Sequence, residues 1–505
     1  MHVLLIASTL CAAPEWTLLT LPRGARATSL PTAEDVLLDA AHLDVDGGFR
    51  PAALEVADPA IPPATFQQML DETLRVRGLK LETRPQAGLL LVRGDPAALE
   101  LARGLVTDLD RQLDAFEIDL EIAVRRAGVP ETTWKRRVRA GVDVFVGSRD
   151  VRPFVASFDV QVAQDAGQAE PRLGSALLGT GLHVRATRLA GGTRVFLDGV
   201  LDTAELAELV TFDPETPDLG VFDQPRIASA QVAFAGAIES GGVLRVNLAQ
   251  AGPSGAEFVL AVKATARPDA PATGDGWALL DLGFVQSAAR PLMPVDPGVF
   301  LSSVSGASSA AGAILQPATL AAILEGERAG TDGRASRSSV LWGGTWIAFP
   351  RSDAGRIETA RALVRALEES RSRTVRAELT CGTLVASFPI AVARSARLVA
   401  GTERPYLVDY ALEVAPQIWM PSPRVERAFD GIAADVYFED GRLRVEAWRT
   451  STPEVAIVSR ESAQMGRIEL PRRTRVVGSG QVKLGEPPLA LFDAGEPLAV
   501  RALAP

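Results

Sequence analysis

Two stretches of this chain spell strand, helix, strand in the same order, and any fold must house both. The first is GLLLVRGDPAALELARGLVTDLDRQLDAFEIDLEIAV, residues 88–124; the second is GTWIAFPRSDAGRIETARALVRALEESRSRTVRAELTC, residues 344–381. In the first, Leu89, Leu90, Leu91 and Val92 read as a short buried strand. Gly94 permits a turn, Asp95 stands where a helix is capped, and Pro96 suits the first helical turn. Leu99, Ala102, Leu105, Val106, Leu109 and Leu113 then recur at helical spacing, which predicts a helix over 96–114. After Asp114 the period switches to two: Phe116, Ile118, Leu120 and Ile122 alternate with Glu117, Asp119 and Glu121, as in a half-buried strand. The second stretch takes the same steps. Trp346, Ile347 and Phe349 form its strand, and Ser352 or Asp353 caps a helix over 354–370. Ile357, Ala360, Leu363, Val364 and Leu367 line that helix, and Val375, Ala377 and Leu379 resume the alternation.

The likeness extends both ways. Upstream, PPATFQQML (62–70) matches QPATLAAIL (316–324), a capped helix start in each. Downstream, GLHVRATRLAGGTRVFLDG (181–199) matches GIAADVYFEDGRLRVEAW (431–448), two strands joined at AGG or EDG. QPRIASAQVAFAG (224–236) matches LPRRTRVVGSGQV (470–482). Four matches in one order point to a tandem duplication of a module. Between the copies, PVDPGVFLSSVSGASSAAGAILQP is rich in Ser, Ala, Gly and Pro and reads as the entry to the second module.

A chain of 505 residues with 47% apolar and 23% charged residues can bury more than one core. Its net charge of −10 gives no nucleic acid a basic face; the local runs Lys135–Arg139 and Pro471–Arg475 read as solvated strand faces. The opening MHVLLIASTLCAAPEW resembles a secretory signal peptide, with cleavage after Ala13 or after Ala27, and implies export into the cell envelope. Cys11 belongs to its apolar core. Removing it leaves Cys381 alone, so the fold rests on packing without an intramolecular disulfide. No later run reaches the length of a membrane-spanning helix.

Residue types that carry chemistry are scarce. His2 lies in the signal, and His42 and His183 have no partners at ligand spacing. Asp213, Glu215, Asp218 and Asp223 crowd one loop, where a solvated connection is favoured over a calcium site. Cys381 ends a strand with no basic neighbour in sequence and reads as a structural thiol. Gly478-Ser479-Gly480 is only a truncated nucleophile motif, and Arg93-Gly94-Asp95 is explained by its turn and helix cap. The expectation is therefore no catalytic, cofactor-binding or metal-binding residue.

A small α/β domain ending in this GDP-to-LD helix and followed at once by EIDLEIAV resembles the last periplasmic N-domain of bacterial secretins leading into their β-rich domain. Leu109, Asp110, Phe116, Ile118, Leu120, Glu121, Ile122 and Val124 carry that resemblance, with the hairpin from Gly181 to Leu197 and the strand opening at Pro225–Ile227. It implies an α+β fold of two tandem modules, each a small α/β (KH-like) N-domain followed by a β-rich secretin-like domain. The expected divisions are 1–27 signal and leader, 28–125 with the first small α/β domain, 126–290 β-rich, 291–372 the second small α/β domain, and 373–505 the second β-rich domain. The resemblance implies a non-enzymatic, self-associating component of a protein-export or pilus-type outer-membrane apparatus, with secretion-system or pilus proteins as partners and no nucleic acid. The alternative is a soluble periplasmic or surface scaffold that kept the fold without forming a pore. A pore needs long, glycine-containing transmembrane hairpins, and no convincing pair stands out in either half. Only three tyrosines are present to supply aromatic girdles, and LGEPPLALF (484–492) reads as a closing strand rather than a gate.

Overall fold

The computed structural model describes residues 17–20, 43–44, 61, 63–86, 89–162, 167–215, 219–249, 257–267, 276–282, 284, 341–343, 346–392, 394–414, 419–459, 466–492 and 496–504. The signal-like segment through Cys11 and Ala13, Ala27, His2, His42, Asp218, the Ser/Ala/Gly-rich connection and the expected helix start at 316–324 lie outside them.

The chain begins with β1 (Thr17–Thr20), β2 (Leu43–Asp44), α1 (Pro63–Val76), β3 (Leu81–Gln86), β4 (Leu89–Gly94) and α2 (Pro96–Ala115). Then come β5 (Glu117–Arg126), β6 (Thr132–Arg139) and four long strands: β7 (Asp143–Val162), β8 (Gly167–Leu189), β9 (Arg194–Phe212) and β10 (Phe222–Glu239). β11 (Val243–Ala249), β12 (Glu257–Ala266), β13 (Trp277–Asp281), β14 (Leu341–Gly343), β15 (Trp346–Pro350) and α3 (Ala354–Arg371) follow. The last stretch repeats the pattern, with β16 (Thr374–Cys381), β17 (Leu384–Ala391), long strands β18 (Ser395–Val414), β19 (Trp419–Glu439), β20 (Arg442–Ser459) and β21 (Arg467–Lys483), then β22 (Leu489–Leu491) and β23 (Leu498–Leu503). The described residues are mostly β.

Both strand–helix–strand stretches fold as their periodicity demands. β5 alternates buried and half-buried residues along most of its length, and β16 does so throughout. Ile118, Leu120, Ile122 and Val124 all point into the core, each worth about 1.5–3 kcal/mol of burial. Asp95 and Asp353 occupy the N-cap positions, but neither side chain caps its helix; the Asp353 carboxylate instead pairs with Arg356 at 3.2 Å.

The long strands make an antiparallel sheet in the order β7-β8-β9-β10-β18-β19-β20-β21, with β2 against two residues of β8. The sequence shows no convincing pair of long transmembrane hairpins in either half; in length the strands are longer than it suggests, since each half contributes four strands of 17 to 23 residues. Their sequences hide them, because Pro153, Pro171, Pro225, Pro405, Pro421, Pro423, Pro453 and Pro471 break the alternation that signals a strand. Register shifts at Val155/Ser157, Arg226/Ile227, Leu407/Asp409 and Ser451/Glu454 accommodate several of these interruptions.

A second sheet, β22-β23-β16-β17-β11-β12-β5-β6, packs across the halves of the long strands nearest the β8–β9 and β19–β20 turns and forms the largest core with them. The described residues also form two three-stranded sheets. β1-β4-β3 carries α1 and α2, and β13-β15-β14 carries α3.

Candidate functional site

With no catalytic constellation expected, the features that could act are the sheet edges and the seams where the two halves meet. In the short-strand sheet the second-half strands β22, β23, β16, β17 and the first-half strands β11, β12, β5, β6 stand in matching order. The seam pairs β17 with β11 through Asn247↔Ser387, Leu248↔Ala386 and Ala249↔Val385. In the long-strand sheet, β10 meets β18 over Ile227↔Glu403 to Val232↔Leu398. Each seam joins one end of the first half's run to the opposite end of the second half's run: β10 meets β18, and β11 meets β17. The strands at the outer ends are β7 and β6 from the first half, and β21 and β22 from the second.

Matching residues occupy matching places in the two halves. Gly147 lies opposite Gly181 and Gly401 opposite Gly431, at the same rung of β7–β8 and β18–β19. A Cβ on Gly147 would sit 2.7 Å from the Thr180 carbonyl oxygen, and one on Gly431 would sit 2.6 Å from the Gly401 Cα. The Phe145 and Phe429 rings cover these glycines, a device that lets strands cross closely at a bend. Arg226 lies opposite Glu208, and Arg472 opposite Glu454, each arginine following a proline. The hairpin turn of β19–β20 is Asp440-Gly441, both at positive φ, as a two-residue turn of the twisted kind requires.

Two further correspondences escaped sequence reading. β12 contains LAVKA (260–264) and β23 contains LAVRA (498–502), and each pairs with its half's β5 or β16 in the same register. WTLLT (16–20) and WALLD (277–281) contribute β1 and β13, which pair alike with β4 and β15: Leu18↔Leu91 corresponds to Leu279↔Ala348. A search for short identical words at module spacing would have found both.

At the second of these places the two α/β units meet. Trp277, Leu279, Trp346 and Ala348 form the face of the β13-β15-β14 sheet turned away from α3, and α1 and α2 cover it. The Trp277 indole N–H donates to the Met69 carbonyl and the Thr73 hydroxyl, both at 3.1 Å. Gln112 binds the exposed edge of β13 as a neighbouring strand would: its Nε2 donates to the Trp277 carbonyl and its Oε1 accepts from the Leu279 N–H, each at 2.9 Å. Asp108 accepts from Arg351 at 2.6 Å. Among the described residues nothing covers the corresponding face of the β1-β4-β3 sheet in this way: Leu18 is 60% exposed where Leu279 is 8% exposed.

The ends of the long strands opposite the β8–β9 and β19–β20 turns gather a smaller cluster, with Val160, Phe212, Phe222, Leu407, Tyr410, Met420 and Ile468 in contact. Glu469 is buried beneath it; its carboxylate accepts from Gln224, from Arg404 at 2.8 Å and from the Leu407 N–H at 3.2 Å. Burial raises the Glu469 pKa, against the pull of Gln224, Arg404 and the Leu407 amide.

The sequence-level candidates are structural or scattered. His183 is half-buried on β8 between Phe145 and Val200. Asp213 accepts from the Glu215 N–H, Glu215 pairs with Arg467 at 2.6 Å, and Asp223 accepts from the Val155 N–H at 3.0 Å, so these carboxylates hold separate strand ends. Among the described residues no three His, Cys, Asp or Glu side chains gather as a metal would need. Cys381 is buried and its thiol pKa raised by that burial; Arg449 lies near enough to pull the other way, a basic neighbour that the local sequence does not reveal. Gly94 ends β4, where a Cβ would meet the Lys80 carbonyl, and Gly478 and Gly480 pack against Leu489, Leu491 and Phe492. Lys135 and Arg137 on β6 are paired with Glu121 and Asp119, and Arg472 and Arg473 on β21 with Glu454 and Glu426. LALF closes the short-strand sheet as β22. No helix among the described residues is long and apolar enough to cross a membrane.

No family model matches the chain, and no curated protein matches it. Solved structures similar to it are secretins. The InvG secretin-domain β-barrel of the Salmonella SPI-1 injectisome has 10% identity and a TM-score of 0.24, over 64% of this chain and 97% of that one. InvG residues 176 to the end, in the open-gate state, give 11% and 0.23 over 52% and 91%. The secretin complex of pilotin AspS with GspD from ETEC gives 8% and 0.21 over 51% and 76%. At TM-scores this low the likeness carries no argument about function.

Proposed function

We propose that this chain is a non-enzymatic, secretin-like envelope protein that self-associates, exported by its N-terminal segment and serving a protein-export or pilus-type outer-membrane apparatus. It consists of two tandem modules, residues 17–266 and 277–503, each opening with a small KH-like α/β unit and continuing into short and long strands. The observation that carries this reading is the order of the two large sheets. Each half supplies the same run of strands, the halves join edge to edge, and corresponding edges remain at the outer ends. Unpaired edges are ready templates for further strands. Exposed apolar residues also collect on the long strands, among them Val151, Leu173, Leu209, Val414, Ile457, Val458 and Val477, which suits contact with a membrane or with other chains.

A second reading has its own observation. The cluster around Glu469, Gln224 and Arg404 joins the distal ends of β10, β18 and β21 within one chain. That closure suits a soluble periplasmic or surface scaffold without a pore. Fractionation of the native host followed by sedimentation in mild detergent separates the two. Large particles from the envelope fraction support the secretin-like reading, single chains in the periplasm support the scaffold, and intact uncleaved monomer in the cytoplasm overturns both.

A further inference from the structure

The three-stranded sheets of the two α/β units differ in one respect that points outward. In the second unit, Leu279 and Ala348 are covered by α1 and α2 of the first. In the first unit, the corresponding Leu18 and Leu91 form an apolar row on an outer face flanked by Arg84, and Leu18 is 60% exposed. The helix that corresponds to α2 is α3: LELARGLV (99–106) matches IETARALV (357–364), which places Leu363 at the position of Leu105 and Ser370 at that of Gln112. Ala362, Ala366 and Ser370 are exposed on α3, and none of them carries a charge or a bulky group that would hold a neighbouring sheet away.

We infer that the Leu18/Leu91 face is the docking surface for a second copy of this chain, which seats the Ala362, Ala366 and Ser370 side of α3 there. The occupant follows from the molecule itself, because the covered junction inside one chain joins the corresponding pair of surfaces one module further along, with Ala366 and Ser370 of α3 standing where α2 has Asp108 and Gln112. The open edges agree. Among the described residues the edge strands of the two large sheets are β6 and β7 from the first half and β22 and β21 from the second, although the far part of β7 packs against β18 and β19 of its own chain. One copy added head to tail therefore meets the Leu18 face and both edges at once, in the order in which the halves already meet. Such an interface is heterologous and closes into rings when its rotation permits. Each chain contributes two modules, so a closed ring holds an even number of them. This inference rests on the self-association proposed above and names its surface.

Paired cysteines test it on the full chain. Two versions carry Cys11→Ser and Cys381→Ala, one with Leu18→Cys and the other with Ser370→Cys, and are mixed in mild detergent with a short bismaleimide. The expected result is cross-linked dimers in the mixture and none in either chain alone. In a separate chain, Leu18→Asp is expected to weaken association by at least about tenfold, since burying a leucine side chain is worth a decade or more in an equilibrium constant. Its melting temperature should stay unchanged, because the residue is exposed in the single chain. Assembly that survives Leu18→Asp with no cross-link in the mixture overturns this surface and leaves self-association standing. A wild-type chain that stays monomeric at every concentration overturns both.

Discussion

Gln112 offers the sharpest test of the seam between the α/β units. Its amide bridges the Trp277 carbonyl and the Leu279 N–H at the edge of β13, and the side chain is 8% exposed. Gln112→Ala removes both partners and leaves a buried donor and a buried acceptor unmet. Each such group costs about 1–3 kcal/mol, so the variant is expected to lose about 2–6 kcal/mol from the unfolding step that breaks this seam. Gln112→Glu separates the two bonds. A carboxylate can still accept from Leu279 but faces the Trp277 carbonyl and Asp108, which already accepts from Nε2 at 3.0 Å. The buried carboxyl then holds its proton more tightly in the folded state than in the unfolded one. Its variant should therefore be least destabilised below the unfolded glutamate value of about 4.3 and lose stability as pH rises through the folded value. Urea unfolding at pH 4 and pH 7, with hydrogen exchange across residues 277–281, reads both effects. A Gln112→Ala chain within about 0.5 kcal/mol of wild type, with unchanged exchange there, would refute the strand-mimic role.

Four further outcomes are expected. Gly401→Val should lower the melting temperature by many degrees, because any Cβ there runs into the backbone of Asp430 and Gly431; an unchanged melt would mean the glycine pair is incidental. Leu105→Asp should cost several kcal/mol by urea titration and Leu363→Asp less, since Leu105 is 5% exposed and Leu363 only half-buried; equal losses would contradict the packing. The folded pKa of Glu469 is raised, so its contribution to stability is fully present at acid pH and fades as pH rises through the folded value; Glu469→Gln should remove that slope from urea midpoints measured between pH 4 and pH 7. If the N-terminal segment is removed as a signal, sequencing of the envelope fraction should give a start after Ala13, because cleavage after Ala27 would discard β1, whose Leu19 is buried and paired with Leu90; a start at Thr28 would contradict β1.

Local pattern made the two strand–helix–strand stretches legible. The stripe from Leu99 to Leu113 and the switch to alternation at Phe116 needed only neighbours along the chain, and α2 and β5 form where that pattern places them. The long strands were not legible, because prolines and glycines tolerated at bulges and close crossings look like turns when read one residue at a time. β13 was missed for another reason. Its five residues fall inside the span assigned to the first β-rich domain, yet they pair with β15, so only the echo of WTLLT in WALLD betrays where they belong. The seams were legible only in part: Gln112 has nothing in its sequence surroundings to announce a bond to residues 277 and 279, since that bond is made by a backbone edge rather than by a motif.

In the proposed arrangement two like modules join edge to edge and the same joint recurs between chains. Electron cryo-microscopy of the full chain in mild detergent would show that joint. The predicted result is a closed ring whose wall repeats every four long strands, with β10 against β18 inside each chain and β21 against β7 between chains, and an even number of modules. Particles of single-chain mass, or a ring joined through any strands other than β21 and β7, would contradict it.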